Sequence, residues 1–290
     1  MSERMERYRE MVENALPYAL PQPEGCAKVL CEAMRYSLLA GGKRLRPCLT
    51  LAAAESVGAD LTEALPYACA MEMVHTYSLI HDDLPCMDND DLRRGKPTCH
   101  KMFGETNAVL AGDALQSAAY CAVLSAPAAP ERTAAMAKTL AFAAAEQGMC
   151  GGQYLDTSKE GLPVTEAELY EIHRLKTGAL LRAACVMGVQ CAGGTPEQVS
   201  AAEEYAMNLG LAFQIRDDVL DTISTEDELG KTIGSDAAEK KTTFVSLHGV
   251  EECGRLVHLH TEKAKAAAAG HFADTEFLCW LADLLADRRK

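Results

Sequence analysis

The chain has 290 residues, of which 48% are hydrophobic, and its formal net charge is −14 at pH 7. This acidic balance argues against nucleic acid as a partner, because phosphate backbones attract positive charge. The sequence lacks a run of about eighteen apolar residues, so we expect no stable insertion into a membrane. The twelve cysteines include no CxxC pair, and the N-terminus has no apolar signal region. We therefore expect free thiols and a cytoplasmic protein.

Helical periodicity prevails along the chain, with abundant alanine and leucine and with glycine or proline between segments. Because strand-like alternation is scarce, the predicted fold class is all-α. No internal repeat, linker or domain boundary is evident, so residues 1–290 are expected to form a single domain. The predicted helices cover roughly residues 3–17, 24–40, 62–84, 104–124, 130–149, 166–189, 250–269 and 273–288.

The second predicted helix is followed by the basic stretch GGKRLRP, residues 41–47. Its two glycines allow the backbone to approach a ligand closely, and the basic side chains follow at once. A basic turn before a helix is also common on protein surfaces, so this stretch gains its meaning only beside the acidic motifs that follow.

The helix predicted over residues 62–84 leads into HDDLPCMDNDDLRRGKPT. Pro85 ends this helix, because proline disfavours the helical conformation for the preceding residue and lacks an amide donor. Three acids therefore lie at the helix C-terminus and on the loop behind it: Asp82, Asp83 and Asp88. Gathering carboxylates at this negative end of the helix dipole is unfavourable unless a cation binds there, and hard oxygen ligands suit Mg²⁺. Forked donors for phosphate come next, from Arg93 and Arg94.

A second acidic cluster lies far downstream in FQIRDDVLD. Residues three, four and seven apart share a helix face, so Gln214, Asp217, Asp218 and Asp221 form one stripe. Like charges at this spacing repel by about a few tenths of a kcal/mol per pair unless something neutralises them. Two aspartate-rich helix faces with basic residues nearby indicate a cage for several Mg²⁺ ions and a diphosphate.

The stretches DDLPCMD, DNDDLRRGKPT and FQIRDDVLD resemble the two aspartate-rich motifs of the trans-polyprenyl diphosphate synthases. GGKRLRP resembles a further motif of that family. The resemblance covers nearly the whole chain, and within the family the sequence most resembles the bacterial short-chain branch typified by farnesyl diphosphate synthase. The resemblance implies an isoprenoid synthase fold, a single large orthogonal bundle of helices around a central cavity for diphosphate and Mg²⁺. It also implies a homodimer, three Mg²⁺ ions per substrate-bound site, and isopentenyl and allylic diphosphates as partners.

The resemblance also implies roles for individual residues. The implied metal ligands are Asp82, Asp83, Asp88, Asp217, Asp218 and Asp221. The implied ligands of isopentenyl diphosphate are Lys43, Arg46, His75 and Arg94. The implied contacts to the allylic diphosphate and its carbocation are Arg93, Gln153, Lys176, Thr177, Gln214, Lys231 and Lys241. Val245 stands where the family usually has a proline.

Product length is expected to depend on side chains one helical turn before Asp82, about 5.4 Å deeper along the helix. Ser78 shares the face of Asp82 but is too small to stop a growing chain. Tyr77 is offset from Ser78 by about 100°, and its ring is large enough to close a tunnel from the side. In the family, an aromatic residue here with a two-residue-longer DDxxxxD motif resembles the farnesyl pattern. We therefore predict (2E,6E)-farnesyl diphosphate, although Tyr77 could also be an ordinary core aromatic.

Three alternatives stay open at this point. Geranylgeranyl diphosphate synthases resemble this chain but carry a smaller or flexible residue in place of the aromatic one. A terpene cyclase would also use an aspartate-rich helix, but it would not need the second diphosphate site that GGKRLRP and His75 indicate. A catalytically silent partner subunit would be expected to lose an aspartate motif or the arginine pair, and this sequence has both.

Overall fold

The computed structural model describes residues 2–223 and 242–288. It is 77% helical, so the predicted all-α class is confirmed. The chain divides into two compact units, the first comprising residues 1–138 and 190–193, the second comprising 139–189 and 194–290. One aspartate-rich motif lies in each unit. That residues 1–290 act as a single domain stays a prediction.

Five helices of the first unit lie close to the predicted ranges, whereas the helices at Leu45–Ser56 and Cys99–Phe103 were not among the predicted ones. After a short 3₁₀ turn at Gly25–Ala27 the chain enters α2, and Pro130 begins the last helix of this region. The helices are α1 (Ser2–Ala19), α2 (Lys28–Leu38), α3 (Leu45–Ser56), α4 (Leu61–Asp82), α5 (Cys99–Phe103), α6 (Glu105–Ser125) and the first part of α7 (Pro130–Ala144).

Helix α4 is the central helix of the first unit. It begins where the Asp60 carboxylate accepts a hydrogen bond from the Thr62 amide at 2.8 Å, the usual role of an N-cap aspartate. It ends at Asp82, two residues before the predicted end and three before Pro85. Thirteen of its 22 residues are buried, and it packs against α3 and α6, so the first acidic motif is carried by a well-packed helix.

Helix α6 is long and apolar enough, with a mean hydropathy of 1.3, to cross a membrane by length and composition alone. It packs along α4 and buries one side of small and aliphatic residues, among them Ala108, Leu115 and Val123. The buried share of its most apolar window is 33%, and its exposed side chains include Leu110 and Leu124.

A two-stranded hairpin, β1 (Leu92–Arg93) and β2 (Lys96–Pro97), follows the acidic loop. Its turn residues Arg94 and Gly95 have φ angles of 54° and 74°, the pair of left-handed conformations that a tight hairpin turn requires. The sequence did not predict this hairpin, because strands of two residues show no alternating pattern.

The second unit places the later motifs on a set of packed helices. The segment predicted as one helix over residues 166–189 is helical throughout, but it contains a π-helical turn at Arg174–Gly178. Its helices are the end of α7, α8 (Met149–Ser158), α9 (Glu166–His173), α10 (Ala179–Cys191), α11 (Pro196–Ile223), α12 (Phe244–Ala268) and α13 (Glu276–Asp287). A buried cluster on α9, α11 and α12 includes Leu169, Ile215 and Phe244 and fixes the second aspartate-rich motif against its neighbours.

Candidate active site

The first aspartate-rich motif forms the end of α4 and the turn behind it. Asp82 is the last helical residue and is partly exposed, whereas Asp88 is exposed. The Asp88 amide donates to the Asp82 carbonyl at 2.8 Å, so the turn brings the backbones of these two acids together. Their carboxylates therefore lie at an accessible helix end, as the sequence predicted.

Asp83, in contrast, points into the protein. Its carboxylate is 4% exposed and accepts hydrogen bonds from Arg93, with Nε and Nη2 each at 2.6 Å from Oδ1. Burial raises the pKa of Asp83 to about 6, even though the Arg93 guanidinium acts to lower it. Arg93 also reaches Asp90 at 3.3 Å. This pair holds the hairpin to the end of α4, and the metal-binding role of Asp83 and the phosphate-binding role of Arg93 stay predictions.

The GGKRLRP stretch contains a buried arginine that sequence reasoning did not single out. Arg44 adopts a left-handed conformation, φ 49°, immediately before α3, and its side chain is fully buried. The guanidinium donates to Glu13 at 2.8 Å, to Glu72 at 2.5 Å and to the Leu38 carbonyl at 2.8 Å. A charged residue inside the apolar stretch of α4, Glu72, was the signal that could have revealed this contact.

Glu72 also lies close to Arg94. Its Oε1 is 3.8 Å from Arg94 Nη2, and Arg94 donates through Nη1 to the Gly41 carbonyl. Gly42, with φ 134°, has no room for a side chain, because a Cβ there would lie 2.7 Å from Arg94 Cζ. The glycine pair therefore permits the close approach of an arginine to the backbone of the loop. Lys43 follows Gly42 and is exposed.

Arg46 and His75 complete what we term the arginine cluster, formed by Arg44, Arg46, His75, Arg94 and Glu72. Arg46 Nη1 is 3.4 Å from His75 Nε2, and Arg46 Nε is buried without a hydrogen-bond partner. Burial lowers the pKa of Arg46 to about 10. Burial and the positive charge of the arginines hold the pKa of His75 well below its usual value. Arg44 and Arg94 lie close to the buried Glu72 carboxylate, and Arg44 also pairs with Glu13. The three guanidinium groups thus have two carboxylates near them, and the remaining positive charge suits a polyanion.

The second unit contains a pocket of about 160 Å³ between α8, α9, α11 and the start of α12. Four predicted site residues line this pocket: Lys176, Thr177, Gln214 and Asp218. Two residues that sequence reasoning missed, Asp156 and His173, line it as well. Gln153 lies nearby on α8 and is partly exposed, without lining this pocket.

Lys176 and Thr177 lie on the π-helical turn. The Lys176 ammonium pairs with the Asp156 carboxylate at 2.5 Å, and Thr177 Oγ1 is 3.3 Å from Gln214 Oε1. The turn packs directly on α8, where a Cβ on Gly152 would lie 2.1 Å from the Lys176 amide nitrogen. π-Helical turns are frequent at functional sites because they redirect side chains out of the regular helix.

The three acids of the second motif have different surroundings. Asp217 is partly exposed and forms an ion pair with Arg288, whose guanidinium also lies 4.0 Å from the centre of the Phe213 ring. Asp218 is buried and accepts hydrogen bonds from Gln214 at 3.3 Å and from the Phe244 amide at 2.8 Å, so it fixes the start of α12. Asp221 is partly exposed. The predicted metal-binding roles of these acids remain predictions.

The predicted lysines Lys231 and Lys241 lie outside the described residues. Within residues 2–223 and 242–288, no three histidine, cysteine or acidic side chains are grouped as metal ligands. Mg²⁺ usually binds through one or two carboxylates together with waters and substrate phosphates. The accessible pair Asp82 and Asp88 in the first unit fits such a donor set, and in the second unit the partly exposed Asp217 is a carboxylate of the same kind.

The described residues thus form an all-α fold with an aspartate-rich motif in each unit and an arginine cluster in the first, groups of the kind that bind divalent cations and polyanions. The polyprenyl synthetase family model matches residues 27–271. The chain therefore belongs to the polyprenyl synthetase family, whose members are generally Mg²⁺-dependent.

Individual relatives extend this result to most of the chain. The farnesyl diphosphate synthase of Geobacillus stearothermophilus is 44% identical over 283 residues, covering 97% of this chain and 95% of that protein. The heterodimeric geranylgeranyl pyrophosphate synthase large subunit 1 of Arabidopsis thaliana is 46% identical over 272 residues, covering 91% and 73%. The apo crystal structure of an FPP/GFPP synthase from Zymomonas mobilis is 35% identical, covers 98% of both chains and has a TM-score of 0.89.

Proposed function

We propose that the protein is a short-chain prenyltransferase that condenses isopentenyl diphosphate with dimethylallyl and geranyl diphosphate to make farnesyl diphosphate. The observation that carries this proposal is the arginine cluster of the first unit. Arg44 and Arg94 lie close to Glu72, and Arg46 lies against His75, which favours a polyanion site separate from the accessible acids at the end of α4. A terpene cyclase needs only one diphosphate site, so the cluster favours a reaction that joins two diphosphates.

In this reaction the arginine cluster holds isopentenyl diphosphate. The forked donors of Arg46 and Arg94 suit the terminal oxygens, and the orphaned Arg46 Nε supplies a further donor. The low pKa of His75 keeps its ring neutral near pH 7, so the ring can hydrogen-bond without adding charge. Lys43 is exposed beside the cluster and can close on a bound anion.

The residues that would hold Mg²⁺ are Asp82, Asp88 and Asp217. When bound, Mg²⁺ neutralises the allylic diphosphate oxygens and makes that group a better leaving group. Lys176, once released from Asp156, neutralises the same leaving group. The Thr177 hydroxyl, held near Gln214, directs an oxygen lone pair at the allylic carbocation. The protein contributes positioning and preorganised charge, and the departing diphosphate accepts the proton that is finally lost.

Farnesyl diphosphate as the product is supported by the surroundings of Tyr77. The ring is 5% exposed and packs edge-on against His81, with ring centroids 5.8 Å apart. Ser78 is partly exposed and its hydroxyl donates to the His75 carbonyl at 2.9 Å, so it presents a small, satisfied side chain. Relatives are named as farnesyl and as geranylgeranyl diphosphate synthases, and Tyr77 is the feature that favours the shorter product.

We propose further that the enzyme is a cytoplasmic homodimer with one active site in each subunit. Closed two-fold dimers are the commonest soluble assemblies. Light scattering at micromolar concentration is expected to give twice the mass of one chain, and a stable monomer would contradict the dimer without affecting the proposed reaction.

Turnover in vitro tests the proposed function. Purified protein is incubated with Mg²⁺, isopentenyl diphosphate and either primer, and the dephosphorylated products are separated by chromatography. We expect farnesol as the main product. Geranylgeraniol would favour the longer-chain alternative, a cyclic hydrocarbon would indicate a cyclase, and binding without turnover would indicate a silent subunit.

The role of Tyr77 in product length is tested with two substitutions. Tyr77→Ala should shift the products toward geranylgeranyl diphosphate, because the ring that limits the growing tail is removed. Tyr77→Phe keeps the ring and should leave the product distribution unchanged. If Tyr77→Ala and the parent enzyme give the same distribution, the limit to chain length lies elsewhere.

A further inference from the structure

His81 connects the proposed chain-length residue to helix α6. It is the penultimate residue of α4 and lies four positions after Tyr77, on the same face of the helix. The two rings meet edge-on at 72°, with centroids 5.8 Å apart. The Tyr77 ring therefore has the His81 imidazole as one wall of its site.

The imidazole is itself fixed by α6. His81 Nε2 is 3.0 Å from the Val109 carbonyl oxygen, and because a carbonyl can only accept, Nε2 carries the hydrogen and donates it. One turn further along α6 is Gly112, where a Cβ would lie 2.1 Å from His81 Nε2 and 2.5 Å from Cδ2. The imidazole thus occupies the volume of any side chain at position 112. Glycine inside a helix lowers helix stability relative to alanine. The contact with His81 explains why glycine nevertheless occupies position 112.

We propose that His81, seated against Gly112, is a positioning residue that holds the Tyr77 ring and thereby sets product length. This inference rests on the proposed function, in which Tyr77 limits the prenyl tail. Without the imidazole, the Tyr77 ring gains space on its α6 side and tilts away from the tail, so the tail can grow further. A methyl group at position 112 would refill part of the same space.

The structure therefore predicts that the effect of Gly112→Ala depends on residue 81. With His81 present, the new methyl overlaps the imidazole and should lower both turnover and thermal stability. With alanine at position 81, the same methyl enters vacated space and should be tolerated. Such a reversal is the signature of two residues that share one volume.

The experiment compares product ratios, turnover and melting temperature for the parent enzyme, His81→Ala, Gly112→Ala, the double variant His81→Ala with Gly112→Ala, and Tyr77→Ala. Each is assayed with geranyl diphosphate and excess isopentenyl diphosphate. His81→Ala should raise the ratio of geranylgeranyl to farnesyl product by about two- to tenfold, the range expected for losing one aromatic edge contact. The double variant should return the ratio toward that of the parent. A purely structural role for His81 would lower total turnover without changing the ratio.

His81→Asn provides a second variant if His81→Ala does not fold. Its shorter side chain does not reach the Val109 carbonyl, which His81 contacts through the distal Nε2, but it keeps a polar group at the partly exposed end of α4. It also leaves space beside Tyr77, so the same rise in the product ratio is expected. If Tyr77→Ala lengthens the product but neither His81 variant does, the inference is wrong and the proposed role of Tyr77 stands. If Tyr77→Ala has no effect, the proposed chain-length limit fails and the inference fails with it.

Discussion

Replacing Arg44 with methionine should lower the free energy of unfolding by about 3–5 kcal/mol, the usual cost of removing one partner of a buried ion pair. Arg44 has a fully buried side chain 2.5 Å from Glu72, which is 1% exposed. At an effective dielectric constant of about 20, a contact this short supplies about 7 kcal/mol of Coulomb attraction. Desolvation of the two ions costs several kcal/mol each and offsets that attraction. The intact pair therefore adds little net stability, but the variant leaves Glu72 buried without its short ion pair, with Arg94 Nη2 3.8 Å away.

Urea unfolding followed by circular dichroism measures this cost as a shift of the midpoint at constant slope. Arg255→Met, which removes an exposed pair with Glu252, is the matched control and should cost less than about 1 kcal/mol. Adding Glu72→Leu to Arg44→Met should recover much of the stability, because the uncompensated charge is gone. A cost for Arg44→Met as small as that of the control would refute the reasoning.

Four further substitutions test other parts of the structure. Gly152→Ala places a methyl 2.1 Å from the Lys176 amide nitrogen and should lower both stability and turnover. In Gly254→Ala the new methyl meets nothing within 4 Å, so the protein should be more stable by about 0.5–1 kcal/mol. Thermal melts of the two variants and the parent protein measure both effects. The raised pKa of Asp83, about 6, means that the folded state favours the protonated form, so stability should fall as pH rises from about 4 to 6. Asp83→Asn should remove that part of the pH dependence of urea unfolding. Asp217→Ala should abolish most turnover and cost about 1 kcal/mol of stability, because Arg288 loses its partner; near-normal turnover would contradict a metal-binding role.

The features that the sequence predicted well are those set by local chemistry. The end of α4 at Asp82 follows from Pro85, and the shared face of Gln214 and Asp218 follows from helical spacing. The all-α class follows from periodicity over many residues. Each depends on residues close together in the chain, so no knowledge of the folded structure was needed.

The features that the sequence did not predict depend on distant contacts. The residues next to Arg44 and Arg46 in the sequence do not show which of the two side chains is fully buried. Arg44 is buried because it pairs with Glu72, which lies on another helix. The same holds for Asp218, which resembles Asp217 in the motif but hydrogen-bonds the Phe244 amide, 26 residues away. The π-helical turn at Lys176 arises within a continuous helical pattern, and the sequence signal for it, Gly152, lies on a neighbouring helix.

The central claim is that this protein joins two diphosphate substrates. The most direct measurement incubates it with Mg²⁺, geranyl diphosphate and isotope-labelled isopentenyl diphosphate, and quantifies labelled prenyl product and released inorganic diphosphate. We expect labelled farnesyl diphosphate and inorganic diphosphate in equal amounts. We also expect Arg46→Met to bind isopentenyl diphosphate more weakly than the parent enzyme does. Release of inorganic diphosphate without incorporation of label would contradict it.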